Sequence, residues 1–266
     1  MFLETAIQAA RLSGKILMDN LPEKQQLQID RKQPFDFVTQ VDHLSENAIM
    51  DFIRNRHPRH NIMAEESGGQ PPSTGYSWLI DPLDGTTNFI HEFPMFAVSI
   101  GLLYEHKVIT GVVFDPVRNE MFHAEKHRGA YLNGRPIKVS NTRDFSRCLL
   151  ATGFPFRAKH LTDSYFEAFK QLFHQVSDFR RAGAAALDLA YLASGRLDGF
   201  WELTLNPWDI AAGTLLIEEA GGQVTDLWGG DSHLSRGHIV ASNGFIHNKI
   251  TQIVGAVFSD LPSSSI

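Results

Sequence analysis

The pattern of apolar residues changes near residue 143, and this change limits the folds that the chain can adopt. Before it, between residues 96 and 139, strand-like segments follow one another closely, and Asn133-Gly134 is a strong two-residue hairpin signal. After it, strand-like and helix-like segments alternate. We therefore predict an α+β subdomain with an antiparallel sheet over residues 1–143 and an α/β subdomain over residues 144–266.

Hydrophobic periodicity assigns the individual elements. The predicted helices cover residues 2–19, 43–57, 162–175, 184–194, 207–220 and 244–256. The predicted strands cover residues 61–64, 78–80, 96–104, 108–114, 120–125, 130–139, 147–152, 197–202, 223–226 and 238–242. We expect Pro82 to end the strand at residues 78–80, because proline has no N–H to donate to a sheet ladder.

Composition excludes several classes of protein. The 266 residues carry a formal net charge of −6, which does not favour nucleic acid or an anionic membrane as the main partner. Cys148 is the single cysteine of the sequence, so a disulfide framework is excluded and a thiolate metal site is unsupported. No apolar run approaches the roughly 18 residues of a membrane span and no signal peptide is visible, so we expect a cytoplasmic protein.

Candidate cation ligands begin directly after the apolar run Trp78-Leu79-Ile80. Asp81 and Asp84 stand at i and i+3, and Gly85-Thr86-Thr87-Asn88 is suited to opening a short helix whose free N–H groups could meet a phosphate. Taken alone, this segment is more typical of a turn than of a cation site, because Asp-Pro and Asp-Gly are common turn formers. Its meaning therefore depends on acids elsewhere in the chain.

Three further groups of acids bear on that choice. Glu65-Glu66 ends a predicted strand and could be a surface loop; only one of the two side chains can point into a site. Asp209 falls in the first turn of a helix that begins at Asn206-Pro207, where an acid by itself stabilises the helix by roughly 0.3–1 kcal/mol. Asp36 and Asp42 belong either to a solvated loop or to the support of a site.

The residue types predict the kind of cation. Carboxylate ligands, without a cysteine cluster or a histidine pair at i and i+4, indicate a hard cation such as Mg²⁺ or Mn²⁺. Asp81 and Asp84, joined by Glu65 and Asp209, could hold two such ions. Paired hard cations are typical of enzymes that transfer a phosphoryl group to water.

Three ordered motifs carry a resemblance to a known family. They are Glu65-Glu66-Ser67, residues 78–89 and Trp208-Asp209-Ile210-Ala211-Ala212-Gly213. Further matches are Asp36-Phe37-Val38-Thr39 with Asp42, residues 129–134 and residues 181–186. Together they resemble the inositol monophosphatase family over almost the whole chain, and residues 151–156 and 180–183 resemble a bacterial branch of it. The resemblance implies a layered αβαβα sandwich of the sugar-phosphatase type.

The resemblance also implies a set of metal ligands. Glu65, Asp81 and the backbone carbonyl of Leu83 match the ligands of a first Mg²⁺. Asp81 bridges to a second Mg²⁺, which Asp84 and Asp209 also bind. A third, looser ion is held mainly through water with Glu65 nearby, and Mn²⁺ is an alternative metal.

Catalytic and substrate-binding groups are implied in the same way. Thr86, paired with Asp42, matches the dyad that orients and helps to deprotonate a nucleophilic water, and Glu65 completes the catalytic set. The implied substrate contacts are Asp84, Gly85, Thr86, Ala185, Glu202, Asp209 and Lys32, with Arg31 as the alternative to Lys32. The implied reaction is in-line attack of metal-activated water on a phosphate monoester, without a covalent phosphoenzyme.

The function implied by the resemblance is Mg²⁺-dependent, Li⁺-sensitive hydrolysis of a small phosphorylated polyol, foremost inositol 1-phosphate, by a homodimer. Relatives with the same acids cleave 3′-phosphoadenosine 5′-phosphate, fructose 1,6-bisphosphate, histidinol phosphate or NADP, but Glu202 favours a polyol. Members of the bacterial branch also act as partners in transcription or RNA processing. Because the chain is acidic, we expect such a role to use protein contacts, with Arg180 and Arg181 either at that face or in structural salt bridges.

Overall fold

The computed structural model describes residues 1–21, 29–33, 36–69 and 74–261, without the side chains of residues 31–33 and 36. Its helices are α1 (Phe2–Asn20), α2 (Gln40–Arg56), α3 (Thr86–Ile90), α4 (Thr162–Phe173), α5 (Ala185–Ala193), α6 (Pro207–Glu219), α7 (His233–Arg236) and α8 (His247–Val257). Its strands are β1 (Ile29–Gln33), β2 (Asp36–Thr39), β3 (Asn61–Ala64), β4 (Gly68–Gly69), β5 (Tyr76–Asp84), β6 (Ala97–Tyr104), β7 (Lys107–Asp115), β8 (Glu120–Glu125), β9 (Ala130–Leu132), β10 (Arg135–Ile137), β11 (Leu149–Thr152), β12 (Asp178–Arg180), β13 (Gly199–Glu202), β14 (Gln223–Thr225) and β15 (Ile239–Ser242). Within these ranges no helix combines the length and the apolar character needed to cross a membrane.

Two principal sheets follow the two predicted patterns. The larger sheet has the order β10-β9-β8-β7-β6-β5-β3-β4, and its strands from β5 to β10 form the predicted antiparallel meander. The smaller sheet has the order β12-β11-β13-β15-β14 and is mixed, because β11 runs parallel to β12 and β13 whereas β15 runs antiparallel to β13. The larger sheet is thus built from residues 61–137 and the smaller sheet from residues 149–242.

Three apolar cores hold five layers together. Trp78 and Ile80 of β5 face α1 and α2, whereas Leu79 between them faces α5 and α6, because successive strand residues point to opposite sides. The same alternation in β13 sends Phe200 toward α5 and α6 and Trp201 toward α4 and α8. The layered αβαβα sandwich is thus confirmed, with α5 and α6 between the two sheets.

Small residues bring α6 close to the larger sheet. A Cβ added at Gly101 of β6 would lie 3.0 Å from the Ala211 methyl carbon, and one at Gly111 of β7 would lie 2.8 Å from the Ala212 carbonyl oxygen. The absence of side chains at both glycines therefore sets the distance between helix and sheet. Because of this close approach, the start of α6, with Asp209, lies near the C-terminal end of β5.

The end of β5 corrects one prediction. The strand does not stop at residue 80 but continues to Asp84, with Asp81 paired to Ser99, Asp84 paired to Ala97 and a register shift between them. Pro82 lies inside this irregularity, where the missing N–H breaks no regular ladder. The proline therefore marks a bulge rather than the end of the strand.

The start of α2 and the strand β12 also differ from the sequence prediction. The helix begins at Gln40 rather than residue 43, because the Thr39 hydroxyl accepts from Val41 N–H (3.1 Å) and Asp42 accepts from Thr39 N–H (2.8 Å), which forms a capping box. The strand β12 was not predicted, since three residues are too few to show an apolar period.

Candidate active site

A cavity of about 350 Å³ lies where the end of β5, the start of α5, the end of β13 and the start of α6 meet. The predicted site residues that line it are Glu65, Asp81, Leu83, Asp84, Gly85, Thr86, Ala185, Glu202 and Asp209. Asp42 lies directly behind it and contacts Thr86. The structure therefore brings together residues that are separated by up to 167 positions in the sequence, from Asp42 to Asp209.

The irregularity at Pro82 explains how Asp81 and Asp84 both reach the cavity. Leu83 N–H donates to Asp81 Oδ1 at 3.0 Å, which folds the chain back over the first carboxylate. Ala186 N–H, at the start of α5, donates to Asp84 Oδ2 at 2.8 Å. The second carboxylate is thus held by the other half of the chain.

Glu65 is positioned by a buried acid on α2. Its own N–H donates to the Ile80 carbonyl at 3.1 Å, and the next two N–H groups, of Glu66 and Ser67, donate to the Glu46 carboxylate at 2.7 and 2.8 Å. Glu65 lines the cavity and Glu66 does not, in keeping with the expectation that only one of the pair could face the site.

Asp209 has both of the roles considered for it. Its Oδ2 accepts from Asn206 N–H at 2.8 Å, so it stabilises the start of α6 through a capping box. It also lines the cavity, because α6 begins there. The Ser99 hydroxyl donates to the Trp208 carbonyl at 3.0 Å and fixes this helix end to β6.

The buried Asp42 and the half-buried Thr86 form a hydrogen-bonded pair. The Thr86 hydroxyl lies 3.0 Å from Asp42 Oδ1 and 3.2 Å from the Leu83 carbonyl. Asp42 Oδ2 accepts from both the N–H and the hydroxyl of Thr39, at 2.8 and 2.6 Å. Burial raises the pKa of Asp42, and these hydrogen bonds act in the opposite direction.

The carboxyl groups strongly perturb one another. Burial, followed by the charges of Glu65, Asp84 and Asp209, raises the pKa of Asp81 well above its usual range. Burial and then the charge of Asp209 raise the pKa of Asp84 in the same way. Buried carboxyl groups whose charges oppose one another are stable only when a proton or a cation compensates their charge.

The donor set fits a hard divalent cation. Its side-chain ligands would all be carboxylates, which is what Mg²⁺ prefers. Among the described residues, no three acidic, histidine or cysteine side chains converge tightly enough to enclose an ion as they stand. Arg157 lies between Glu65 and Asp209, with its guanidinium 3.8 Å from an oxygen of each.

The opposite end of the cavity carries two more buried acids. Burial raises the pKa of Glu202 to about 8, although Arg181 and Arg157 favour its charged form. Burial and the charge of Glu202 raise the pKa of Asp188 well above its usual range. Gly153 leaves room for the Glu202 carboxylate, because a Cβ at that position would collide with it.

Sequence reasoning missed Asp188 and Arg157. Asp188 stands between two leucines in an apolar helix, and a single acid in such a place could have been recognised as a candidate functional group. Arg157 follows an aromatic and proline segment whose path cannot be inferred from periodicity. Lys32 lies in β1, but its side chain, like that of Arg31, falls outside the described part of the chain.

The two neighbouring arginines at the end of β12 differ in position. Arg180 Nη1 pairs with Asp178 Oδ2 at 2.7 Å on the surface, as a structural salt bridge. Arg181 lines the cavity and its guanidinium lies 4.8 Å from the ring centre of Phe154. Arg181 therefore belongs to the candidate site, which neither of its predicted roles anticipated.

Comparison with known proteins identifies the family of the chain. The model of the inositol monophosphatase family matches residues 1–258. The chain belongs to this family. The resemblance to this family is thereby confirmed, and the family is generally one of metal-dependent phosphatases.

The relatives fall into two named groups. The chain is 47% identical to the Nus factor SuhB of Escherichia coli over 242 residues, covering 91% of each chain, and 42% identical to a putative Nus factor SuhB of Neisseria meningitidis, covering 96% and 98%. Among solved structures it is similar to the extragenic suppressor protein SuhB of Bartonella henselae, with a TM-score of 0.91, 39% identity and coverage of 95% and 98%. It is also similar to inositol monophosphatase from Anabaena, with a TM-score of 0.86, 41% identity and coverage of 96% and 95%.

Proposed function

We propose that this chain is a Mg²⁺-dependent phosphate monoester hydrolase whose preferred substrate is inositol 1-phosphate. The observation that carries the proposal is the convergence of Glu65, Asp81, Asp84 and Asp209 on one cavity, beside a Thr86–Asp42 pair. Family membership supports phosphatase chemistry. A structural neighbour from Staphylococcus aureus, 26% identical, is a monophosphatase bound to inositol monophosphate.

The proposed cation ligands are Glu65, Asp81 and the Leu83 carbonyl for one ion, and Asp81, Asp84 and Asp209 for another. When bound, such ions supply Lewis acidity that makes water a stronger nucleophile and stabilises charge on phosphate and leaving-group oxygens. The chain contributes the buried carboxylates themselves, fixed by the backbone bonds from Leu83, Ala186 and Asn206.

Thr86 and Asp42 would control the nucleophilic water. The Thr86 hydroxyl donates to Asp42 Oδ1, so its lone pairs are free to accept a hydrogen from water. Asp42 has both oxygens engaged in hydrogen bonds and is fully buried, which keeps this orientation fixed. The pair therefore orients water and accepts its proton without itself attacking phosphorus.

The far end of the cavity favours a neutral, hydroxylated leaving group. Glu202 and Asp188 can exchange hydrogen bonds with several hydroxyl groups, and their raised pKa values permit each to donate as well as accept. A polyol fits such groups, because each of its hydroxyl groups can also both donate and accept. Ala185 adds a small apolar wall at the start of α5.

The first test is release of phosphate from inositol 1-phosphate with and without Mg²⁺ and Li⁺. Asp84→Asn should lower Mg²⁺-dependent turnover more than about a hundredfold, because it removes a charged ligand while the amide oxygen can still accept from Ala186 N–H. Asp51→Asn, on the exposed face of α2, is the matched control and should behave like the wild type. Near wild-type turnover by Asp84→Asn would refute the ligand assignment.

A panel of monoesters then tests the substrate class. Inositol 1-phosphate should be hydrolysed faster than fructose 1,6-bisphosphate, 3′-phosphoadenosine 5′-phosphate, histidinol phosphate and NADP. A faster rate for any of these four would reassign the substrate while leaving the hydrolytic chemistry in place.

A second candidate function is that of a protein partner in transcription or RNA processing. It is favoured by relatives that are named Nus factor at 47% identity. Affinity capture from the native cytoplasm should recover transcription proteins equally with the wild type and with Asp84→Asn, if this role is independent of hydrolysis. We also propose a homodimer, which sedimentation of the purified chain can test.

A further inference from the structure

Arg157 lies between two carboxylates that come from opposite halves of the chain. Its Nη2 is 3.8 Å from Glu65 Oε1, and its Nη1 is 3.8 Å from Asp209 Oδ2. Glu65 follows β3 of the larger sheet, whereas Asp209 begins α6. One guanidinium thus spans two of the proposed cation ligands.

Arg157 pairs with Glu65 and Asp209 at this end of the cavity, and its charge also favours the ionised form of Glu202 at the far end. The other arginine among the described lining residues is Arg181, and it acts on Glu202 and Asp188 at the far end. The two divalent ions proposed at Glu65 and at Asp209 would therefore each bind beside the Arg157 guanidinium. Like charges within a few ångströms repel strongly where the surroundings are poorly hydrated.

A second cavity adjoins Arg157 and could receive its guanidinium. Arg157 lines a second cavity of about 690 Å³ next to the first, beside Asn206, Arg236 and His238. Its side chain is 24% exposed, and it lies on the segment that joins β11 to α4, with its guanidinium 4.7 Å from the ring centre of Phe156. A rotation of this side chain would carry its charge from one cavity to the other.

We propose that Arg157 is an internal counter-cation of the carboxylate cluster, which the binding of divalent ions displaces from Glu65 and Asp209 toward the second cavity. The inference rests on the proposed role of these acids as cation ligands. It goes beyond that role because it makes metal affinity the result of a competition within the chain.

Calorimetric titration with Mg²⁺ and Mn²⁺ tests the competition. Arg157→Gln should bind Mg²⁺ about two- to thirtyfold more tightly than the wild type, because two ion pairs no longer oppose the metal. Arg157→Lys keeps the charge and should bind less tightly than Arg157→Gln. Arg11→Gln, on the exposed face of α1, removes the same charge elsewhere and should leave the affinity unchanged. Equal or weaker Mg²⁺ binding by Arg157→Gln would overturn the proposal.

Chemical labelling of the wild type tests the displacement itself. An arginine-selective dicarbonyl reagent, read by mass spectrometry, should modify Arg157 faster as Mg²⁺ is added, with Arg11 as the internal reference. Protection of Arg157 by Mg²⁺, or no change, would refute the displacement. Failure of the wild type to bind Mg²⁺ or Mn²⁺ would instead refute the ligand cluster on which both proposals depend.

Discussion

Single residues at this site combine a structural and a chemical role. Asp209 caps α6 and lines the cavity, and Asp42 caps α2 and holds the Thr86 hydroxyl. The sequence could identify both as candidates, because each belongs to a motif with a regular spacing. It could not identify Asp188 or Arg157, since their importance comes from burial and from the path of a loop, which spacing does not encode.

Glu202 gives a prediction about pH. Its folded pKa of about 8 lies above its ordinary value of 4.5, so the folded state binds the proton more tightly than the unfolded state. The contribution of Glu202 to the free energy of unfolding should therefore be highest below about pH 4.5 and should fall as the pH rises to about 8. Between about pH 5 and pH 9, the free energy of unfolding of Glu202→Gln should fall by a few kcal/mol less than that of the wild type. Urea denaturation in a chelating buffer measures this difference.

The control for Glu202→Gln is Asp51→Asn, which alters an exposed acid on α2. The neighbouring groups Asp84, Asp188, Asp209, Arg157 and Arg181 remain in all three proteins, so the comparison isolates Glu202. An unchanged pH dependence in Glu202→Gln would show that its carboxyl group is already ionised at neutral pH.

At the scale of elements, the sequence predicted the order of helices and strands well because their periods are long and regular. The capping residues Asn206-Pro207 correctly placed the start of α6. The continuation of β5 past Pro82 could not be predicted, because it depends on pairing with β6. That pairing is a property of the sheet, not of the segment.

The contact of α6 with the larger sheet gives a prediction at the same scale. Gly111→Ala should lower the free energy of unfolding by about 1–3 kcal/mol, since its methyl would press on the Ala212 carbonyl, which is part of a helix backbone. Gly101→Ala is the matched comparison, because its methyl would meet the Ala211 side chain at 3.0 Å. Thermal and urea unfolding should rank Gly111→Ala as the more damaging change; the opposite order would contradict this account of the packing.

At the scale of the whole molecule, the site belongs to neither half alone. Asn88 follows β5, and its side-chain amide donates to the carbonyls of Met95, Ala182 and Gly183 at 2.7, 2.9 and 3.3 Å. The last two carbonyls precede α5, which in turn donates to Asp84. The contacts of Asn88 with residues 182 and 183 could not be predicted from the sequence, because they join residues about ninety positions apart.

These contacts can be tested through Asn88. Asn88→Asp would replace a donor by an acceptor that faces three carbonyls, and it should cost about 1–3 kcal/mol of stability. It should also speed hydrogen exchange of the backbone at residues 183–188. Asn248→Asp, on the exposed face of α8, is the control. Unaltered exchange at the start of α5 would show that Asn88 does not join the halves.

The position of Asp209 has a consequence for the newly made chain. Under the proposed function, Glu65, Asp81 and Asp84 leave the ribosome first, and their partner follows more than a hundred residues later. The hydrolytic cluster is then incomplete until α6 has been synthesised and has settled on Gly101 and Gly111. A nascent or truncated chain that lacks α6 would therefore be inactive. Hydrolytic activity would appear only after α6 has been synthesised and has packed against the larger sheet.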